Sequence, residues 1–386
     1  MLTDDLLATI RSRAATHDRE NTFPHDDFAD LQRAGYFAAL VPRDEGGGGL
    51  TLTELTREQA RLAAASPATA LAVNMHHVWV AVARQLHYRE DADEHLKEIA
   101  HRIFADAKQG EIYAFGISEP GNDLVLFGSQ SEAAPDGEGG YAFTGTKIFT
   151  SGSPAWTRLG TFGTDRSDPD SPMSVFGFVQ RTAPGITVKD DWDTLGMRAS
   201  QSCTTILDHV PAPEEQIACR IPPGPTAHPF VFGIFSAFVL LTSSVYVGVA
   251  RRALELAAET TRQRTSVRNK GAAYAQDPDK RRRIAQMAIA VDGLTPQLEL
   301  AATDIDAGTD RGPLWMPQLS AVKYRIAETV QQVVATAMKA AGGGSFFTKN
   351  ELSRLYRDAL AAVFHPTSED SVHGMWATVM LGPVEP

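Results

Sequence analysis

Hydrophobic positions follow three successive patterns along the chain. Up to about residue 110 they recur at helical spacing. Leu6, Leu7 and Ile10 predict a helix over 4–15, and a short one is expected over 28–34. The run Gly46-Gly47-Gly48-Gly49 reads as a loop, because glycine loses the most conformational freedom inside regular structure. Thr53 is expected to open the next helix, with Glu54 and Glu58 near its positive end. The segment 70–86 is apolar nearly throughout and reads as buried, and 91–108 follows.

From Glu111 short alternating runs appear between turn residues. Strands are expected over 141–144, after the turn 136–140, over 173–179 and over 204–207. A proline-rich stretch, 211–229, ends this part. Beyond it the pattern is helical again. One long helix is expected over 230–268, others opening at Pro278 and Pro317, then 352–364 and 369–381, with Gly342-Gly343-Gly344 as a break. Long helices with short connections predict an antiparallel bundle. The expectation is an α+β chain, mostly α, in three domains: an N-terminal helical domain (1–110), a middle β-barrel domain (111–222) and a C-terminal four-helix bundle (223–386).

Composition narrows the class. The 386 residues are 43% hydrophobic and 22% charged, with a net charge of −11. Such an acidic chain argues against nucleic acid or an anionic membrane as partner. The one basic cluster, Lys280 to Arg283, stands beside Asp277 and Asp279 and reads as a solvated helix start. Two cysteines, Cys203 and Cys219, make no disulfide framework, so a reducing cytoplasm is expected. The N-terminus lacks a signal-peptide pattern. The most apolar window, 230–249, is interrupted by Ser236, Thr242, Ser243, Ser244 and Tyr246 and reads as a buried helix rather than a membrane span. No Gly-x-Gly-x-x-Gly follows a strand, and no spacing suggests a metal site; the adjacent His76 and His77 cannot share one helix face.

Several motifs point in one direction. They are Gly116-Ile117-Ser118-Glu119-Pro120, Gly145-Thr146-Lys147-Ile148-Phe149-Thr150-Ser151-Gly152, Leu195-Gly196-Met197-Arg198, Gly342-Gly343-Gly344 and Arg357-Asp358-Ala359. In this order they resemble the acyl-CoA dehydrogenase superfamily over nearly the whole chain. The resemblance implies FAD, held by Ser118, Phe149, Thr150 and Ser151, with Phe149 covering one face of the flavin ring. It also implies that Arg264, Gly342 and Gly343 approach the flavin pyrophosphate of a neighbouring subunit, hence a homo-oligomer, a dimer of dimers.

The family's dehydrogenases remove a proton with a glutamate from one of two places. Here one place holds Pro366, after His365, and the other falls near Phe238. The arginine that helps bind CoA in the family matches near Val239, and no Asp, Glu or Arg lies in 230–249. The chain resembles instead the superfamily's two-component flavin monooxygenases, the dibenzothiophene monooxygenase type, which take reduced flavin from a separate reductase. Their pocket residues match His76, Ser151 and His365, and histidine is suited to giving or taking a proton near neutral pH. The resemblance therefore implies an oxygen-activating monooxygenase on a small or medium apolar substrate. Phe127, Trp156, Phe232, Phe235, Phe238 and Trp376 are available as an apolar lining, although core packing is the better account of most of them. The alternatives are an acyl-CoA or acyl-carrier dehydrogenase served by an electron-transfer flavoprotein, with His365 or Glu369 as base, and a catalytically inactive scaffold subunit.

Overall fold

A computed structural model describes residues 1–268 and 270–384. Five helices come first: α1 (Asp4–Glu20), α2 (His25–Arg33), α3 (Leu52–Ala65), α4 (Pro67–Tyr88) and α5 (Glu94–Gln109). Their starts are capped as the sequence favours. Thr3, Thr51 and Asp93 each accept a backbone N–H, and Thr51 forms a full capping box with Glu54.

The middle of the chain forms one sheet: β1 (Tyr113–Gly116), β2 (Glu132–Pro135), β3 (Tyr141–Lys147), β4 (Arg158–Asp165), β5 (Met173–Gln180), β6 (Ile186–Val188), β7 (Thr205–Ala212) and β8 (Ile217–Ile221). Its hydrogen-bonded path runs β6-β7-β3-β2-β4-β5-β8, with β1 joined in parallel to β4. The hydrogen-bonded path ends at β6 and β8, and no pairing joins those two strands among the described residues. One apolar cluster lies among these strands alone, around Phe143, Leu159, Val175 and Val210. Trp156 belongs to it and is buried under Arg181, not placed as a pocket wall.

The last part holds α6 (Pro229–Gln263), α7 (Pro278–Asp292), α8 (Leu294–Asp306), α9 (Trp315–Ala341), α10 (Glu351–Leu360) and α11 (Glu369–Leu381). The expected helix over 230–268 stops at Gln263, where the chain turns into a small hairpin, β9 (Thr265–Ser266) with β10 (Ala272–Ala273). The helix opened by Pro278 breaks at Gly293 into α7 and α8. By length and composition α6 is apolar enough to cross a membrane, yet 94% of its most apolar window is buried inside the fold, against α3, α4 and α9. The main core runs through α1–α5, α6, α9 and one face of the sheet.

Candidate functional site

Two of the sequence motifs are joined by a buried ion pair. Glu119 and Lys147 are both almost fully buried, and the lysine donates to the carboxylate and to the Phe162 carbonyl. Ser129 Oγ, Ser131 Oγ and the Gln130 N–H also donate to Glu119. Burial alone would raise the Glu119 carboxyl, but the Lys147 charge and these hydrogen bonds outweigh it and hold it at about 2. Burial lowers Lys147 to about 8 against the opposing pull of Glu119. Removing either partner would strand a buried charge, so the pair locks the Ser118 loop to the end of β3. The Ile148 N–H donates to the Ser118 carbonyl at 2.9 Å and closes the same junction.

Beyond β3 the chain makes a sharp bend. Phe149 has φ +58°, a left-handed conformation uncommon for a residue with a side chain, and the residue is 54% exposed, with its ring beside Trp192. Thr150 is fully buried with no partner for its hydroxyl. Ser151 Oγ lies 2.7 Å from Ser202 Oγ, which lies 2.7 Å from Ser200 Oγ. An exposed aromatic on a strained turn, next to an unsatisfied buried hydroxyl, suits a planar heteroaromatic ring with a polar edge. The residues present therefore fit a flavin: Phe149 would lie on the ring, Thr150 and Ser151 at its polar edge, and Ser118 opposite.

The two predicted histidines are placed differently. His76, on α4, is fully buried: Nε2 lies 2.8 Å from the Phe37 carbonyl, and Nδ1 accepts the Tyr113 N–H at 3.2 Å. Both nitrogens are used by backbone, so His76 fastens α4 to β1 and has none left for a substrate. Burial lowers it to about 4, resisted by the bond to Phe37. The Ser151 turn reaches the same helix one turn earlier, where Gly152 packs near the Ala72 carbonyl, but no hydrogen bond joins Ser151 to His76.

His365 follows α10 and lies 2.6 Å, Nε2 to oxygen, from the buried Tyr246 hydroxyl of α6. Lys323 Nζ donates to the His365 carbonyl at 2.6 Å and to that of Thr367 at 3.0 Å. Although the residue keeps some surface, its ring is enclosed; burial first and the Lys323 charge second bring it down to about 3, so it is neutral. The ring also faces Phe238 (6.4 Å between centroids), which stacks on Phe115 at 5.1 Å. Phe115 leads through Gly116 into the Ser118 loop, so an aromatic wall connects His365 to the flavin-fitting turn. At the two places where a base would be sought, the structure has Phe238 inside this wall and Pro366. Glu369 is exposed at the start of α11, beside Tyr324. Phe232 packs on Trp315, and Trp376 ties α11 to the Pro317 carbonyl of α9.

Arg357 and Asp358 serve as a clamp. Arg357 pairs with Asp18 of α1 and donates to the Leu195 carbonyl, while Asp358 accepts the Met197 N–H at 2.6 Å. Burial raises Asp358 to about 6, opposed by Arg354. A side chain at Gly196 would meet the Arg357 carbonyl at 2.2 Å, which explains the glycine there. Arg264 and the triple glycine also meet within one chain. Arg264 donates to the Ala341 carbonyl at 2.8 Å, and a Cβ on Gly344 would lie 2.9 Å from its guanidinium. The contact with a neighbouring subunit expected of Arg264, Gly342 and Gly343 lies outside one chain.

Sequence reasoning missed Tyr246, Lys323, Lys147 and Glu119. Tyr246 was discoverable: it lies eight residues, about two turns, beyond Phe238 and so shares its face.

Comparison with known proteins identifies the family. The family models for the acyl-CoA dehydrogenase N-terminal and C-terminal domains match residues 5–102 and 239–364. L-evernosamine nitrososynthase of Micromonospora sp. is 30% identical, over 93% of this chain and 85% of its own. Dibenzothiophene monooxygenase of Rhodococcus qingshengii is 28% identical, over 80% of this chain and 73% of its own. The structure of KijD3 in complex with FMN and a dTDP-linked amino sugar superposes with a TM-score of 0.87 at 25% identity, covering 99% of this chain and 92% of that one. With both ends of the chain matched and a relative aligned along nearly all of it, the chain belongs to the acyl-CoA dehydrogenase family, as a flavin-dependent oxidoreductase.

Proposed function

We propose that the chain is a reduced-flavin monooxygenase that oxygenates a nitrogen or sulfur atom of a small substrate. The observation that carries this reading is the His365–Tyr246 pair: a neutral imidazole on a buried phenol stands at the end of an aromatic wall, one residue before the position where a dehydrogenase would present a carboxylate. Relatives named for nitrososynthase and dibenzothiophene monooxygenase activity support oxygenation at a heteroatom.

A bound flavin would supply oxygen activation. The chain's own residues would do the rest. Phe115 and Phe238 exclude water and hold the apolar part of the substrate. His365 passes a proton between its ring and the reacting centre, and the Tyr246 hydroxyl sets which nitrogen carries it. Ser151, in its chain of serine hydroxyls, offers a donor at the flavin edge.

The finer parts of the proposal are FAD as the preferred nucleotide, with Arg264, Gly342 and Gly343 of a second copy at its pyrophosphate, and supply of reduced flavin by a separate reductase. They also include a cytoplasmic homotetramer built from three domains, 1–110, 111–222 as a barrel and 223–386 as a four-helix bundle. FMN in the KijD3 complex keeps the nucleotide open to test by extracting and identifying the flavin.

The deciding experiment is anaerobic. Oxidised flavoprotein mixed with acyl-CoA thioesters should keep its flavin absorbance, whereas reduced enzyme mixed with oxygen should pass through a transient spectrum before reoxidation. Rapid bleaching by a thioester would overturn the reading.

A further inference from the structure

We propose a divalent metal site, suited to Zn²⁺, formed by Glu45, His87 and His101 with Asp44 at its edge. The three residues come from three elements: the loop between α2 and α3, the last turn of α4, and α5. Their ligand atoms all lie within 4.8 Å of one another. Glu45 Oε1 is 3.0 Å from His101 Nδ1, the two imidazoles meet edge to face with centroids 5.5 Å apart, and Asp44 Oδ2 lies 4.0 Å from His87 Nε2. A tetrahedral zinc ion holds nitrogen and oxygen at roughly 2.0–2.2 Å, which separates neighbouring ligand atoms by about 3.4 Å. Closing the set onto one ion therefore asks each ligand atom to move by about 1 Å, a distance that side-chain rotation covers.

The scaffold under these side chains is already ordered. Lys108 Nζ donates to the Glu45 carbonyl at 2.6 Å, Gly46 and Gly48 donate back into the loop, and Phe104 packs edge-on against His87. Two imidazoles with one or two carboxylates favour zinc or its transition-metal neighbours, since magnesium and calcium prefer sets made wholly of oxygen. His87 lies eleven residues after His76 on the same helix, about 16 Å along its axis, so the site is separate from the flavin turn. Its role is to pin the glycine-rich loop to α4 and α5. Ligands so far apart in sequence, and on three elements, leave no spacing signature.

The test uses the full-length flavoprotein, stripped with chelator and titrated with ZnCl₂ by calorimetry and thermal unfolding, with MgCl₂ as control. Expected are one zinc per chain, a melting temperature that rises with zinc and not with magnesium, and visible d–d absorption when Co²⁺ replaces it. The exposed-side variants His101→Gln and Glu45→Gln should each weaken zinc binding by roughly tenfold or more and remove the thermal shift, while turnover stays as in the parent. Absence of zinc heat and of cobalt colour in the parent would overturn the site. Unchanged affinity in the double variant His87→Gln/His101→Gln would also overturn it, because the metal would then be bound elsewhere.

Discussion

The histidines of α4 and of the segment after α10 are the same residue under opposite constraints. His76 gives both ring nitrogens to backbone and joins two layers of the fold. His365 has one nitrogen on a phenol and turns its ring toward Phe238. Both are neutral and enclosed, with lowered pKa values of about 4 and about 3. Burial and neutrality are common to both histidines, so what separates them is what their nitrogens are bonded to.

The largest separation should come from His365→Gln. Turnover is expected to fall about 10²–10⁴-fold, the usual range for a lost general acid or base, with flavin affinity and melting temperature nearly unchanged. Steady-state oxygenation assays beside thermal melts check it, and turnover within a factor of three would assign His365 to structure. His76→Ala should behave inversely. It leaves the Phe37 carbonyl and Tyr113 N–H unpaired around a new cavity, costing on the order of 4 kcal/mol in denaturant unfolding.

The pH dependence sharpens the same contrast. Both histidines have folded pKa values below the ordinary 6.5, so the unfolded chain takes up protons first as pH falls. Their contribution to stability is complete above about 6.5 and is lost as pH drops toward 4 and then 3. Glu119, at about 2, adds a loss below its ordinary 4.5. Asp358, raised to about 6, works the other way, because its folded form holds a proton that the unfolded form releases above 3.8. Melting temperature should fall from pH 6.5 to 4, and less steeply in a His76 variant that still folds. Tyr246→Phe should be the mildest change. It removes the hydroxyl on His365 and keeps the ring, so turnover should drop about tenfold with an altered pH–rate profile, whereas a purely structural tyrosine would leave that profile intact.

Much of this arrangement is readable in the chain itself. α11 spans the expected range, α1 starts at Asp4 and α7 at Pro278 as expected, whereas α3 starts at Leu52 on the Thr51 cap, one residue before the expected Thr53. The strand β4 escapes an alternation test because six consecutive residues in it are buried and both faces are covered, whereas β5, buried in the same way, lies where a strand was expected over 173–179. Phe149, Thr150 and Ser151 are found by motif, and the structure places them on one strained turn. His76 and His365 are found by motif too, but what distinguishes them lies in contacts 37, 39 and 119 residues away along the chain. Arg264 shows a limit of the same kind: a helix C-cap and a phosphate ligand look alike in sequence, since carbonyls at a helix end and phosphate oxygens attract the same guanidinium, so its bond to the Ala341 carbonyl appears only in the fold.

The depth of α6 also bears on how the protein is made. Its apolar surface is shared between α3 and α4, which leave the ribosome first, and α9, which begins at Trp315, about fifty residues after α6 ends. At translation rates of roughly 5–20 residues per second, one flank of α6 stays uncovered for several seconds in every nascent chain. That interval is an opening for chaperones and a liability under fast overexpression, so yield should depend more on synthesis rate than on the stability of the finished fold.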